Sequence, residues 1–453
     1  MDLKLRLRAL ADDLQSSLWY RPALYTLLAL VLAFLNPYID QLTHWQFYMF
    51  DADNARAVLS SIASSMLTVV TLTFSILMVA FTLASQQFSP RILRTFTRDR
   101  TSQHVLGLQI GTFLYSLLVM VRINEVGSVI FVPLLSVLGA IGFSMVGIGA
   151  FVYFIDHISR NIRVNYIIAN IGEQTVALLH EETSAQVADN QEDSPAPPVL
   201  HRQAAAIAKA PRAGYIQGIA SDRLVEIALA HHIILELACM TGDFVVLEHP
   251  LLYVYPAAPM SPELMEALLN QFDIGTERTM FEDVLFGIRQ LVDIALKALS
   301  PAVNDPTTAI NCLDYLTNIL IQAGKDSAPH AHRYDTTGQV RLLAQRVSFP
   351  MMVELAFNQI RHYGCGDVLV DIRMIHALAE IAGRIRNPSW QALLWQHVCM
   401  VSRNADRSLA EPNDRRQFNA VLLHAAQQMG RSSTAVLLEQ ASADEETDLP
   451  EMQ

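Results

Sequence analysis

Four long apolar stretches in the first third of the chain limit the folds open to it more than any other feature. The last three are long enough to cross roughly 30 Å of hydrocarbon as helices that rise about 1.5 Å per residue. The first is shorter but continues into Pro37 and Tyr38. We therefore predict a membrane domain of four transmembrane helices over residues 21–164. The four stretches cover residues 22–35, 58–85, 105–121 and 129–155.

Composition supports a membrane protein and argues against other classes. Hydrophobic residues make up 52% of the 453-residue chain and charged residues only 17%, which is unusual for a soluble protein. The net charge is −12, and the basic residues do not form the concentrated basic face that nucleic-acid binding requires. Nucleic acid is therefore not an expected partner. The cysteines form no CxxC pair, and we expect reduced core thiols, no metal site and no cofactor. They are Cys239, Cys312, Cys365 and Cys399.

Basic residues that flank the apolar stretches predict the orientation in the membrane. They gather before the first stretch, between the second and third, and after the fourth, so the positive-inside rule places both termini in the cytoplasm. Residues 1–20 carry leucines at helical spacing, which predicts an amphipathic helix lying in the membrane interface. The cluster between the second and third helices could enforce topology, select anions or bind lipid headgroups. It consists of Arg91, Arg94, Arg98 and Arg100.

The connection between the first two predicted helices carries acidic residues. Asp40, Asp51 and Asp53 are expected to give the outer mouth of the membrane domain a negative rim. Such a rim favours cations, whereas the arginine cluster at the other side favours anions. The sequence therefore leaves the sign of any transported ion open.

A polar stripe runs along the second apolar stretch. Its members recur three or four positions apart, which places them on one face of an α-helix. Bulky apolar residues, among them Leu67, Phe74 and Leu77, are expected on the opposite face towards lipid. The members of the stripe are Ser60, Ser64, Thr68, Thr71, Ser75, Met78, Thr82 and Ser85.

Two interpretations of this polar stripe stay open at the level of sequence. In a symmetric oligomer each copy could turn the stripe to a central axis, where hydroxyls hydrate ions and Met78 forms an apolar constriction. Alternatively, small and hydroxyl residues let transmembrane helices approach closely and hydrogen-bond to one another. The first interpretation predicts a pore, and the second predicts a packed interface.

Two segments of the chain resemble the signature regions of a known family. The first is "DNARAVLSSIASSMLTVVTLTFSILMVAFTLASQQFSPRILRTFTRDRTSQHVLG", and the second is "FGIRQLVDIALKALSPAVNDPTTAINCLDYL". They are similar to an uncharacterised bacterial membrane-protein family, domain of unknown function 2254, over about residue 19 to beyond residue 375. The resemblance implies a bacterial inner-membrane protein. It supplies no established activity and no catalytic residues.

The rest of the chain predicts an α+β domain in the cytoplasm. Residues 165–208 indicate a helix followed by a linker rich in serine, proline and acidic residues. Short apolar runs between turn signals predict a small β-rich module over residues 209–258. A helical bundle is expected to follow it, so the predicted fold class is a membrane α-helical domain joined to an α+β domain.

Helical periodicity and capping signals predict this bundle over residues 259–435. Ser261 is a plausible N-cap with Pro262 at the first helical position, and residues 339–347 are among the segments predicted to be helical. The acidic residues 436–453 predict a disordered tail.

The segment from residue 289 to 314 is the strongest candidate site outside the membrane. Arg289 and Asp293 lie four positions apart on one helix. The start of the next helix offers free N–H groups that suit an anion. A capped turn braced by an ion pair explains the same residues, so both interpretations remain. The residues expected around that helix start are Asn304, Asp305, Thr307 and Thr308.

The sequence carries no recognisable catalytic signature, such as a P-loop, a GxSxG elbow or an HExxH helix, and we expect no enzyme. We predict an oligomeric inner-membrane protein that conducts ions or small solutes through a pore lined by the second helix, with a cytoplasmic vestibule or gating domain. Its expected partners are the lipid bilayer, further copies of itself, and ions or small solutes. The alternative is a non-conducting membrane-anchored sensor or scaffold whose cytoplasmic domain binds a ligand or partner.

Overall fold

The computed structural model divides the chain into two compact units. The described residues up to Tyr166 form one, which we call the membrane unit, and those from Ile167 onward form the other, the C-terminal unit. Most of the predicted interfacial helix, Arg91, Arg94, Arg98 and all of the acidic tail except residues 437–438 fall outside the described residues. The structure describes residues 17, 19–43, 51–87, 99–126, 129–187, 202, 205–257, 259–280, 282–325, 332–335, 338–345, 347–432 and 437–438.

The described residues of the membrane unit contain four helices that are long and apolar enough to cross a membrane, as the sequence predicts. The third of them, α3 (Arg100–Val121), contacts each of the other three helices and is the central helix of the unit. A Cβ atom at Gly107 of α3 would lie 2.6 Å from a ring carbon of Tyr25, so glycine is what allows the first helix to pack this closely. The helices are α1 (Tyr20–Thr43), α2 (Ala52–Gln87), α3 (Arg100–Val121) and α4 (Leu134–Asn161).

The fourth helix begins later than its apolar stretch. Strand β1 (Asn124–Val126) pairs antiparallel with β2 (Val129–Phe131), so the first residues of the predicted fourth span belong to a hairpin. Pro133 then occupies the N-cap position of α4. β-Branched residues such as Val129 and Ile130 suit a strand, and hydropathy alone does not separate this strand from the helix that follows.

The part of the C-terminal unit that the structure describes contains two sheets. A five-stranded sheet has the order β3-β7-β5-β10-β9, and a three-stranded sheet has the order β6-β4-β8. Apolar residues from both sheets, including Ile216, Leu235 and Leu252, are buried in one core. The strands are β3 (Ala206–Lys209), β4 (Gly214–Ile219), β5 (Ile234–Leu237), β6 (Phe244–Val245), β7 (Pro250–Tyr255), β8 (Phe272–Gly275), β9 (His332–Tyr334) and β10 (Val340–Leu343).

The prediction of a helix over residues 339–347 is wrong. Val340–Leu343 is a strand that pairs in parallel with β5 and antiparallel with β9. Partners about a hundred positions earlier in the chain stabilise this strand, and such pairing overrides a local periodicity over so few residues. The β-rich part of the unit therefore contains strands that precede and strands that follow the helices α8 (Val284–Ala298) and α9 (Pro306–Lys325) in the sequence.

Several of the remaining helices begin at capping residues that the sequence displays. Ser261 accepts the N–H of Leu264 at 3.2 Å, and Pro262 is the first residue of its helix, as predicted. Asp367 accepts the N–H groups of Leu369 and Val370 in the same way. The other helices of the C-terminal unit are α5 (Val164–Val187), α6 (Ser221–Ala230), α7 (Pro262–Leu269), α10 (Phe349–Tyr363), α11 (Val368–Arg384), α12 (Pro388–Ser408) and α13 (Pro412–Gln428).

All four cysteines are free thiols. Cys239 and Cys312 are buried, as expected of core thiols, and burial raises the pKa of Cys239 to about 12. Cys399 is half-buried. The expectation of a core thiol is wrong for Cys365, which is exposed in the turn between α10 and α11.

Candidate functional site in the membrane unit

The polar stripe of α2 is on the outside of the membrane unit. Every member whose side chain the structure describes is exposed, and the Ser85 side chain lies outside that description. Met78, its apolar member, is 46% exposed. The structure therefore places the stripe where it can meet water, lipid or another protein chain. The exposed members are Ser60, Ser64, Thr68, Thr71, Ser75, Met78 and Thr82.

A different face of α2, rich in alanine, packs inside the membrane unit. Small side chains such as Ala55 and Ala80 let neighbouring helices approach closely. Leu77 belongs to this face and is fully buried against Phe154 and Ile158, so the expectation that it faces lipid is wrong. Leu67 and Phe74 are exposed, as expected. The buried residues of α2 are Ala52, Ala55, Leu59, Ala63, Met66, Thr73, Leu77, Ala80 and Ala84.

Three threonine hydroxyls of the stripe hydrogen-bond within α2. They donate to the backbone oxygens of Ser64, Leu67 and Met78, four residues earlier, at 2.9–3.0 Å. Each hydroxyl proton is thus satisfied, while the oxygen can still accept a hydrogen bond. A stripe built in this way tolerates an apolar neighbour and can also bind water. The donors are Thr68, Thr71 and Thr82.

A buried polar pair joins α2 to α3 inside the unit. The Thr73 hydroxyl lies 3.0 Å from Oε1 of Gln109, and both residues are fully buried. Nε2 of Gln109 is also buried and has no hydrogen-bond partner among the described residues. The sequence analysis does not predict this pair. Gln109 alone could have indicated it, because a polar side chain inside an apolar span is costly unless it has a partner.

The carboxylate of Asp40 lies inside the bundle and not at a surface. It accepts the N–H groups of Leu135 at 2.9 Å and Ser136 at 3.2 Å, and the Ser136 hydroxyl at 2.9 Å. Asp40 thus caps the start of α4, where free N–H groups favour a negative charge. Asp51 instead caps its own helix through the N–H of Ala52, and Asp53 is an exposed partner of Arg56 at 3.7 Å.

Replacing Asp40 with alanine is expected to destabilise the membrane unit by ~1–3 kcal/mol, because three donors at the start of α4, two of them buried, lose their acceptor. The exposed Asp53→Ala variant is the matched control and should stay within about 0.5 kcal/mol of the parent. Reversible unfolding of the full chain in detergent measures both. Equal stability of the two variants would contradict the capping role of Asp40.

Another polar cluster lies at the opposite end of the bundle. Asp99 accepts the N–H and hydroxyl of Ser102 at the start of α3, and its other oxygen lies 2.9 Å from Nε2 of His157 on α4. Burial raises the pKa of Asp99, but the hydrogen bonds from Ser102 and His157 outweigh it, so this pKa lies below its usual value. The carboxylate is therefore ionised at neutral pH. Arg100, the described member of the predicted arginine cluster, is exposed beside it.

The candidate residues of the C-terminal unit form two hydrogen-bonded groups. Nε of Arg289 lies 2.8 Å from the carboxylate of Asp293 on α8. Asp305 accepts the N–H of Thr308 at 3.1 Å and its hydroxyl at 2.6 Å, at the start of α9. The carboxylate thus occupies the helix end that an anion would need. Asn304 and Thr307 are exposed next to it.

Similarity to known proteins is consistent with this architecture. A family model described as predicted membrane protein, DUF2254, matches residues 15–380, and the chain belongs to this family. Uncharacterised proteins of Mycobacterium bovis and Mycobacterium tuberculosis are 30% identical over 441 residues, which cover 95% of this chain and 84% of each relative. No solved structure matches the chain.

Proposed function

We propose that this membrane protein assembles into a homo-oligomer that conducts ions or small solutes along the polar stripe of α2. The exposure of the stripe carries the proposal. Hydroxyl residues extend along much of a transmembrane helix, yet the protomer packs that helix through its alanine-rich face. A surface rich in hydroxyl groups on the outside of a protomer suits a shared aqueous path between copies.

Tight packing inside one membrane unit supports a path between copies over a path through a single copy. The interior of the four helices is filled by large side chains, and Tyr115, Phe154 and Met66 are at most 1% exposed. Side chains packed in this way leave no room for a column of water. Conduction by this protein therefore requires the stripes of several copies to face one another.

Met78 is the proposed constriction of the pore. It is the one predicted member of the stripe that bears no hydroxyl group, and its side chain is exposed. A ring of thioether side chains, one from each copy, would form an apolar section that gates by excluding water. The C-terminal units are proposed to form a vestibule or gate on the cytoplasmic side of a bacterial inner membrane, with both termini in the cytoplasm. We assign no catalytic role to the protein.

The hydrogen bonds of the stripe favour a second candidate function. Because Thr68, Thr71 and Thr82 already donate within α2, the stripes of two copies can pack together without water. The protein would then be a non-conducting sensor or scaffold whose C-terminal unit binds a ligand or partner. The two functions differ in what surrounds the stripe.

Single cysteines along α2 separate these functions. In a background with Cys365 and Cys399 replaced by serine, a membrane-impermeant thiol reagent should modify Ser64→Cys and Thr71→Cys rapidly, because a pore exposes both to water. The half-times are expected to be at least about tenfold shorter than for two control positions on the same helix. Leu83→Cys is the exposed control outside the stripe, since Leu83 is exposed and lies three or four positions from no member of the stripe, and Ala80→Cys is the buried control.

A different result would support the alternative. Protection of Ser64→Cys and Thr71→Cys, together with efficient disulfide formation between copies, would show a packed interface and contradict the pore. Protection without cross-linking would show that the stripe faces lipid, and would also contradict it.

A further inference from the structure

Three basic side chains come together at the end of the membrane unit where α1 and α3 begin. Arg21 lies in the first turn of α1. Arg100 and His104 lie four positions apart at the start of α3, so they share one face of that helix. Nη1 of Arg21 contacts Nε2 of His104, and the imidazole is within electrostatic reach of both Arg21 and Arg100. Positive charge is therefore concentrated between these two helices.

Close packing of α1 against α3 brings these side chains together. Gly107 lies three positions after His104 on α3, and a Cβ atom there would lie 3.2 Å from Cα of Pro22 on α1. Glycine lets the two backbones approach closely at this point. Arg21, the residue before Pro22, therefore reaches His104 across the helix interface. The buried residues Pro22 and Gly107 hold the basic side chains in this arrangement.

The hydrogen bonds of His104 leave donors free for a ligand. A guanidinium can only donate, so Nε2 of His104 is the accepting nitrogen, and a neutral imidazole then carries its proton on Nδ1. Nδ1 lies 3.0 Å from the hydroxyl oxygen of Tyr25, which accepts that proton. The hydroxyl proton of Tyr25 remains available to donate, as do most N–H groups of Arg21. His104 thus orients two donors without consuming them.

Carboxylates of the described residues do not neutralise this group. Neither Arg21 nor Arg100 forms an ion pair with a described aspartate or glutamate. Asp99 precedes Arg100, but its oxygens accept hydrogen bonds from Ser102 and lie 2.9 Å from Nε2 of His157. Asp99 also caps the end of α3, so the two guanidinium groups, and not the helix end, are what an anion would meet.

We propose that Arg21, Arg100 and Tyr25 bind the phosphate group of an anionic phospholipid. The guanidinium groups donate charge-assisted hydrogen bonds to the phosphate oxygens, and the Tyr25 hydroxyl donates a further one. His104 positions Arg21 and Tyr25. The site is open to a headgroup, because Arg100 and His104 are exposed and the other two side chains are half-buried. The proposal does not depend on conduction along the stripe.

The position of the site favours a lipid over a phosphate ion from solution. The candidate membrane spans begin at Tyr20 in α1 and at Arg100 in α3, so the basic group lies at the level of the headgroups. Trp19, which is 65% exposed, is typical of that level. Basic pockets between the ends of transmembrane helices are known to suit anionic headgroups.

Native mass spectrometry of the full chain, released from a nonionic detergent, tests this site by counting bound lipids. Phosphatidylglycerol is compared with phosphatidylcholine of the same acyl chains, whose choline group cancels the phosphate charge. The first phosphatidylglycerol is expected to bind at least about fivefold more tightly than phosphatidylcholine. A large excess of inorganic phosphate should not displace it, because the acyl chains contribute to binding of the lipid.

Variants identify the groups responsible. Arg21→Gln and Arg100→Gln should each weaken phosphatidylglycerol binding about fivefold, and Tyr25→Phe about threefold. Arg122→Gln is the matched control, because it removes an exposed guanidinium at the other end of α3 and should leave the affinity within about twofold. Melting temperatures without added lipid show whether each variant is folded, and Tyr25→Phe tests the site without a change of charge.

Three results would overturn the proposal. Equal affinity for the two lipids would show that the basic group does not recognise an anionic headgroup. An equal loss for Arg122→Gln and Arg21→Gln, with no effect of Tyr25→Phe, would reduce the binding to general charge attraction. Displacement of the lipid by inorganic phosphate would assign the site to a soluble anion.

Discussion

Replacing Asp371 with asparagine is expected to stabilise the C-terminal unit by up to ~4 kcal/mol at about pH 8 and to have little effect near pH 4. Asp371 lies on α11, is fully buried, and neither carboxylate oxygen has a hydrogen-bond partner among the described residues. Burial raises its pKa from 3.8 to about 7, although the nearby backbone of Gly366 partly offsets this rise. An ionised carboxylate at this position is therefore costly.

The sign of the effect follows from proton binding. Between about pH 4 and pH 7 the folded protein holds a proton on Asp371 that the unfolded chain has lost. The folded state is therefore penalised increasingly as the pH rises through this range, and the penalty is complete above the folded-state pKa. A difference of about three pKa units corresponds to ~4 kcal/mol. Asparagine does not ionise, so it removes the penalty.

Unfolding curves of the full chain at about pH 8 and pH 4.5 measure this prediction, with tryptophan fluorescence as the signal because Trp390 and Trp395 lie on α12. Asp367→Asn is a poor control, since Asp367 caps α11, whereas Glu354→Gln removes an exposed carboxylate on α10. Equal stability of Asp371→Asn and the parent at the higher pH would show that the carboxylate is stabilised in the folded protein, and would contradict the account.

His397 is expected to have the opposite effect on the pH dependence. It lies on α12, is buried, and burial followed by the positive charge of Arg361 lowers its pKa from 6.5 to about 4. The folded protein keeps the imidazole neutral, while the unfolded chain takes up a proton below about pH 6.5. Stability is therefore lost as the pH falls from about 6.5 towards 4, by up to ~3 kcal/mol.

A His397→Gln variant should lose ~3 kcal/mol less stability than the parent between about pH 7.5 and pH 4.5, whatever its absolute stability. In the parent, the gain from protonating Asp371 opposes the loss at His397 over the same range. Asp371→Asn should therefore be more sensitive to acid than the parent, and His397→Gln less sensitive. Parallel stability profiles for the parent and both variants would show that neither group titrates as proposed.

Sequence patterns predicted the membrane unit well because hydropathy over twenty residues is a strong signal. The bilayer requires every backbone polar group to be satisfied within a span, so a long apolar run has few folds available. Caps such as Ser261 were predictable for a similar reason, since the N-cap bond connects residues only three positions apart.

The structural features that the sequence did not predict depend on contacts between residues far apart in the chain. Val340–Leu343 is a strand because β5 and β9 flank it, and no pattern within nine residues reports those neighbours. The sequence predicts an exposed carboxylate at Asp40. In the structure this carboxylate accepts hydrogen bonds from Leu135 and Ser136 of α4, which lie about 95 positions later in the chain. The stripe itself was visible from its spacing. Its position outside the protomer required knowing which face of α2 the other helices cover.

Recordings from the purified protein in a planar bilayer test conduction along the stripe. We expect unitary currents from the parent protein. We also expect Met78→Ser to raise unitary current or open probability, because a hydroxyl replaces the apolar group at the proposed constriction. Leu72→Ser, an equally exposed position of α2 outside the stripe, should leave both unchanged. Silence from the parent and from Met78→Ser, with both proteins shown to be folded and inserted, would contradict conduction along the stripe.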